Sequence, residues 1–270
     1  MTSDDFDFTL RMTDSEKWGY LRADFERHIE SDPDGCFIAR SGDKYIGMLT
    51  TTSYGSYAFL GGLIVPEEFR GRGIATKLML HGIEYLKTEG VISIELDGVF
   101  PAVPLYRRLG FEDKYLSLRF YRNLKTGADD SIPPTPYSIN DILKYDKEKT
   151  GLDRGRLLRV MSEQLPDSVF VEKQPGAFGY SIVKPCAGDL SMIGPMVCDN
   201  IRIAEILLKS AIRKFGRRVL LLGVPELNNT FVKLLLHNGF KYSPPVLRMY
   251  LGEPIEYEKS IYGILSPGQG

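Results

Sequence analysis

The sequence is poor in the residues that mark disulfide-stapled, metal-binding or membrane proteins. Three cysteines, Cys36, Cys186 and Cys198, are scattered through 270 residues with no C-x-x-C spacing. That excludes a disulfide framework or a thiolate zinc site and predicts reduced core residues. Histidine is equally scarce: His28, His81 and His237 lie far apart on predicted helices, so neither a metal site nor a histidine base is expected. No apolar run approaches the roughly 20 residues needed to span a bilayer. The first ten residues carry Asp4, Asp5 and Asp7 where a secretory leader would need a basic and then an apolar segment. A cytoplasmic protein with no membrane partner is therefore expected. With a net charge of -1, any anion site must be local, and a nucleic-acid partner is not expected.

What is present is an ordinary globular composition, 43% hydrophobic and 26% charged, in a chain long enough for two medium domains. One stretch organises the rest, Arg70-Gly71-Arg72-Gly73-Ile74-Ala75-Thr76. It lies where an apolar, strand-like run at 57–65 gives way to a helical pattern over 74–87. Glycines let a backbone approach a ligand closely, and the first amides of a helix favour an anion. Arg70 and Arg72 would add charge-assisted hydrogen bonds, so the turn is a candidate pyrophosphate cradle. A nucleotide site of the usual kinds is disfavoured, since no Gly-Lys-Ser/Thr follows the glycines and no G-x-G-x-x-G follows the first strand.

Along the chain, the pattern predicts a strand at 8–12, a helix at 15–29, a hairpin of 36–39 with 45–52, and the strand at 57–65. After the helix at 73–87 come a strand at 91–97, a helix at 101–109 and a strand at 115–121. Residues 123–136, with Pro133, Pro134 and Pro136 and few large apolar side chains, read as a linker. The division is thus 1–125, a linker at 126–136, and 137–270. The second half predicts helices at 139–146 and 154–164, strands at 168–172, 178–184 and 190–198, a helix at 201–215, a strand at 218–224, a helix at 227–237 and a strand at 241–251.

That plan repeats the first half. Gly62-Leu63-Ile64-Val65 corresponds to Gly194-Pro195-Met196-Val197, and Leu105 to Phe111 corresponds to Leu234 to Phe240. Between these landmarks the second half is slightly shorter, and where the first has Pro66 to Ala75 it has Cys198 to Ala204, with no glycine. The second half cannot build the same cradle.

With these residues in place, the sequence resembles the GNAT superfamily of acyl-CoA-dependent N-acyltransferases. The family's diphosphate signature reads here as Arg70-Gly71-Arg72-Gly73-Ile74-Ala75, followed downstream by Leu105-Tyr106-x-x-x-Gly110-Phe111. The Gly151-Leu152-Asp153-Arg154 segment is similar to the start of a divergent second domain in a tandem subgroup. The resemblance implies two tandem domains, each a mixed, mostly antiparallel central sheet flanked by helices. It implies acetyl-CoA as co-substrate, held by Leu63, Ile64 and Val65 along its pantetheine arm and by Arg70 to Thr76 at its pyrophosphate. It implies transfer to a primary amine by direct attack in a ternary complex. Tyr106 stands where the family commonly carries its general acid, and the matching Leu235 cannot donate a proton. An Asn often found seven positions before the Tyr is Val99 here, while the second half keeps Asn228 at that place. Strand 57–65 offers no carboxylate, and alternation puts Ser93, Glu95 and Asp97 on one face of the next strand. Asp97 is the candidate for holding the ammonium or relaying its proton. Tyr54, Tyr57, Asp153 and Arg154 are candidate acceptor contacts. The rival reading is a non-catalytic acyl-CoA sensor or assembly module, and the acceptor and oligomeric state are left open.

Overall fold

The computed structural model describes residues 1–124 and 136–270. The predicted linker at 126–136 thus lies, but for its last residue, outside the described residues. In chain order, helices α1 (Phe6–Ser15) and α2 (Arg22–Ser31) precede strands β1 (Cys36–Ser41), β2 (Lys44–Tyr54) and β3 (Tyr57–Ile64). Then come α3 (Ile74–Thr88), β4 (Ser93–Gly98), α4 (Val103–Arg108) and β5 (Glu112–Arg122). Further on lie α5 (Ile139–Thr150), α6 (Gly155–Gln164), β6 (Val169–Gln174), β7 (Ala177–Pro185) and β8 (Leu190–Cys198). The chain continues through α7 (Ile201–Phe215), β9 (Val219–Pro225), α8 (Asn229–His237), β10 (Lys241–Gly252) and a short β11 (Ile261–Gly263).

The N-terminal segment departs from the pattern reading. The predicted strand at 8–12 is part of α1, whose buried positions include Phe6, Thr9 and Thr13 at helical spacing. The two threonine hydroxyls donate to the Phe6 and Thr9 carbonyls at 3.0 and 3.2 Å, so they are satisfied within the helix. The predicted helix at 15–29 is interrupted: Lys17 and Gly19 take left-handed φ values of 58° and 68°, which no α-helix continues through. Trp18 falls in that break and packs against a cluster that includes Phe6, Tyr20 and Phe25. All three cysteines are free and buried.

The chain divides into two compact units, but not into contiguous halves. Unit 1 comprises Met1–Lys114, Leu247–Ile255 and Gly268–Gly270; unit 2 comprises Tyr115–Val246 and Glu256–Pro267. The sheet of unit 1 runs β1-β2-β3-β4-β10, with β3 and β4 parallel and the other neighbours antiparallel. That of unit 2 runs β6-β7-β8-β9-β5 with the same pattern, β8 and β9 being the parallel pair. Each sheet takes its fifth strand from the other side of the linker. Sequence order alone assigned β5 to the first domain and β10 to the second, because alternation reports that a strand exists and says nothing of its partner.

In unit 1, α3 lies on the sheet face that carries Leu49, Thr51 and Leu60. Gly82 makes the close approach possible, since a side chain there would stand 2.6 Å from the Leu49 Cδ2. Unit 2 has its own core, with Phe120, Ile193, Leu207, Leu222, Phe231 and Leu235 buried together.

Candidate active site

The site in unit 1 starts from a parallel pairing that stops early. Tyr57 to Leu60 pair with Ser93 to Leu96, yet β3 runs on to Ile64 and β4 to Gly98 without further rungs between them. The cause lies on the other edge of β3. The β2–β3 register shifts between Met48 and Thr50, and Gly62 sits in the bulge with φ of 62°. Any side chain at Gly62 would meet the Thr50 Oγ1 at 2.8 Å. A bulge bends its strand and ends pairing locally. The result is a gap beside Gly61–Ile64 along which β3 makes no rungs to β4. Leu63 and Ile64 flank it, whereas the Val65 carbonyl already accepts a hydrogen bond from the Arg70 Nε at 2.9 Å.

The chain then turns into α3. Gly71 and Gly73 both have φ of 76°, and nothing lies within 4 Å of where a Cβ would stand on either. The first helical bond is from the Lys77 amide to the Gly73 carbonyl, 3.1 Å. Ahead of it, the amides of Gly71, Arg72, Gly73, Ile74, Ala75 and Thr76 meet no acceptor among the described residues, no side chain caps the helix, and its first turn has no acid. Open amides at the positive end of a 15-residue helix fit a diphosphate. The arginines are placed otherwise than the sequence suggested. Arg70 pairs with Glu16 at 2.8 Å, and Arg72 donates to the Glu68 carbonyl with its guanidinium over the Phe69 ring. What the turn leaves open is main-chain amides, with both guanidiniums bonded to the protein itself.

Tyr106 enters from α4. Its ring packs edge-on against Phe111 and 3.1 Å from the place a Cβ would take on Gly98, at the end of β4 that makes no rungs with β3. Gly98 shares the β4 face of Leu96, so Tyr106 lies on the α3 side of the sheet. Burial pushes its phenol up to about 12, which keeps the O–H protonated at any ordinary pH.

The opposite face holds charge. Glu95, fully buried, accepts from the Tyr57 hydroxyl at 3.0 Å, from the Lys114 Nζ at 2.6 Å and from the Arg248 Nη1 at 3.1 Å. Arg248 also donates through Nε to Asp97 at 2.7 Å and stacks over the Phe59 ring. Asp97 is thereby fixed by a cation, with its side chain only 3% exposed. Tyr54 stacks on Tyr57 at 6.0 Å between ring centres and donates its hydroxyl to the Gln269 carbonyl at 2.7 Å. Sequence reasoning missed Glu95, Lys114 and Arg248. Arg248 did leave a signal, a lone cation inside the apolar run Val246-Leu247-Arg248-Met249-Tyr250-Leu251. None of the histidines joins the site: His28 is buried beside Thr52, and His81 meets the Phe37 ring edge-on.

Unit 2 repeats the scaffold and fills it. Its parallel pairing likewise stops at Ile193 and Leu222, but β11 then pairs with Val197 and Met196 of β8. The Ile264 amide donates to the Gly223 carbonyl of β9 at 2.9 Å. The Asn228 side-chain amide donates to the Ile261 carbonyl. At the start of α7 the Asn200 Oδ1 takes the amides of Arg202 and Ile203 at 3.0 and 3.1 Å, so that helix end is capped. Leu235 is fully buried. Arg154 is buried against Asp146 and Tyr180, while Asp153 pairs with Lys147 at 2.8 Å on the surface.

Among the described residues, no group of three or more His, Cys, Asp or Glu could hold a metal, and no helix is long and apolar enough to cross a membrane. Comparison with known proteins gives a consistent result. The model of the acetyltransferase (GNAT) family matches residues 4–111, and that of an acetyltransferase (GNAT) domain matches residues 142–263. The holothin acyltransferase of a Pseudoalteromonas strain is 25% identical over 252 residues, 91% of this chain and 84% of that protein. N-alpha-acetyltransferase 30 of Schizosaccharomyces pombe is 30% identical over 116 residues, 38% of this chain and 75% of its own length. The crystal structure of a putative acetyltransferase from Pyrococcus horikoshii superposes with a TM-score of 0.81 at 26% identity, covering 100% of this chain and 94% of that one.

Proposed function

Because the chain belongs to the GNAT family of N-acyltransferases, as two tandem domains of it, we propose that unit 1 transfers an acetyl group from acetyl-CoA to a primary amine. Transfer occurs by direct attack in a ternary complex. One observation carries this reading: in unit 1 an open helix N-terminus and an unpaired strand edge lie in succession, from Gly61 to Thr76. The first suits a diphosphate, and the second suits the two amides of a pantetheine arm, which can pair as an added strand would. Acetyl-CoA would supply the activated acyl carbon as a thioester.

The chain's own part follows from placement. Backbone groups of Leu63 and Ile64 orient the arm, and Val65 contributes little beyond its bond to Arg70. The amides of Gly71 to Thr76 hold the pyrophosphate, the Arg70 amide being bonded to the Glu67 carbonyl at 3.1 Å. Tyr106 presents its hydroxyl to the sulfur as negative charge builds there. A phenol near 12 stands above an ordinary thiol at about 8.5. Its main contribution is therefore a hydrogen bond to the leaving thiolate, with proton transfer completed late. The amine nitrogen forms its bond to the acyl carbon as the carbon–sulfur bond breaks, and the proton it sheds passes toward Asp97 through water. Arg248 fixes Asp97, and Glu95 fixes Tyr57, so Tyr54 and Tyr57 line the acceptor side as a rigid wall. Asp153 and Arg154 would contribute to substrate binding only from unit 2, where Arg154 is committed to Asp146.

Thiol release from acetyl-CoA, followed with a panel of small amines, amino acids and peptide N-termini, tests the reading. At least one acceptor is expected to raise release well above hydrolysis. Saturable acetyl-CoA binding with no release for any acceptor would favour the sensor reading instead.

A further inference from the structure

On the sheet face opposite Tyr106, the ground beside the gap is not empty. The segment Gly268–Gly270 belongs to unit 1 and lies against β2 and β3. A side chain on Gly61, the first β3 residue past the last rung, would stand 2.5 Å from the Gly268 carbonyl oxygen. One on Gly268 would stand 2.2 Å from the Tyr20 hydroxyl oxygen, and one on Gly270 would stand 3.0 Å from the Phe59 ring. The Tyr54 hydroxyl donates to the Gln269 carbonyl at 2.7 Å, and Gln269 is 3% exposed. What is recognised here is main chain: a glycine strand surface that permits backbone contact, and a phenol aimed at a peptide carbonyl. Tyr106 approaches the gap from the α3 side, so an acceptor has to come in over this face.

We propose that the surface formed by Tyr20, Tyr54, Phe59 and Gly61 is a binding site for extended, glycine-containing peptide. The segment Gly268–Gly270 is its resident occupant, and the acceptor is a peptide amine that displaces it. This rests on the acyltransfer reading for the identity of the displacing ligand, though not for the existence of the site. A resident occupant lowers the apparent affinity of a competitor by the fraction of time the site is open. The same contacts would otherwise serve a peptide supplied from outside, and the Tyr20 hydroxyl beneath Gly268 favours glycine at that position.

The test uses two forms of the protein, one ending at Pro267 and the full chain carrying Gly268→Ala, whose added methyl meets the Tyr20 hydroxyl. The probe is the tripeptide Gly-Gln-Gly, N-acetylated so that it cannot accept a group. Trp18, the single tryptophan, has its ring 6.0 Å from that of Tyr20 and reports binding by fluorescence, independently of activity. Both variants are expected to bind the probe saturably and about tenfold more tightly than the intact chain. Both are also expected to lower KM about tenfold for glycine-initiated peptides in the thiol-release assay. If the shortened chain does not fold, Gly268→Ala alone decides. Absence of tripeptide binding by a folded variant, or equal binding by variant and intact chain, overturns the proposal. Tripeptide binding with thiol release from small amines but from no peptide overturns the peptide acceptor and leaves the acyltransfer reading, whereas tripeptide binding with no release from any amine keeps the site and removes that reading.

Discussion

Unit 1 and unit 2 share a five-strand plan, a parallel pair whose rungs end early, and a helix that begins where the gap opens. They differ in what occupies two places. In unit 1, among the described residues, no strand lies in the gap beside β3 and the first amides of α3 meet no acceptor. In unit 2 β11 lies beside β8, and the Asn200 side chain covers the first amides of α7. Asn228, seven positions before Leu235, is engaged by the chain itself and donates to the Ile261 carbonyl. The lesson is that the scaffold carries an inherent defect, an unpaired strand edge next to an uncapped helix. Such groups are left to water or to a ligand unless the chain itself supplies their partners. One copy leaves these groups open among the described residues, and the other covers them with its own chain.

The comparison can be broken most severely at Tyr106. Tyr106→Phe keeps the packing against Phe111 and removes the O–H, so turnover is expected to fall by roughly 10²–10⁴ with acetyl-CoA affinity nearly unchanged. A single-turnover assay beside calorimetry checks both halves of that statement. Unchanged turnover at every pH would reduce Tyr106 to a packing residue.

Next in size is the strand that repairs unit 2. Ile261, 2% exposed, anchors β11. Ile261→Ala is expected to lower stability by about 2–4 kcal/mol in denaturant titration while leaving acetyl-CoA affinity alone. A smaller effect separates the helix ends. Asn200→Ala removes a cap and should cost about 1 kcal/mol of stability without changing ligand binding. Gly73→Ala puts a side chain at a left-handed position and should weaken acetyl-CoA binding by about tenfold. If the two substitutions exchange consequences, the roles assigned to the helices are reversed.

The mildest probe is alkaline pH, since it acts on both units at once. Burial raises the phenols of Tyr85 and Tyr106 in unit 1, and of Tyr145, Tyr180 and Tyr262 in unit 2. A phenol whose folded value is raised stabilises fully below its unfolded value near 10. That contribution is lost as pH rises through the folded value, which for Tyr106 is about 12. The thermal midpoint should therefore hold steady to about pH 10 and then fall.

The glycine turn, the repeat and the missing tyrosine in the second half were legible because each depends on residue type at short range. Gly71 and Gly73 are needed for left-handed backbone, and Leu235 cannot replace a phenol. The pairing of β10 with β4, and so the arrival of Arg248 beside Asp97, was not legible, since nothing local encodes a strand's distant partner. The start of the chain misled for a related reason: Phe8, Leu10 and Met12 alternate as a strand would, but Thr9 and Thr13 bond back to the helix and so accept burial. Glu95 stood in plain view on the same face as Asp97, yet its ties to Tyr57, Lys114 and Arg248 exist only in the fold.

The most direct test of a single acyl-CoA site is the stoichiometry of acetyl-CoA binding by calorimetry on the intact chain and on the Gly73→Ala variant. One equivalent per chain is expected, weakened by the substitution. Two equivalents, or one that Gly73→Ala leaves untouched, would contradict it.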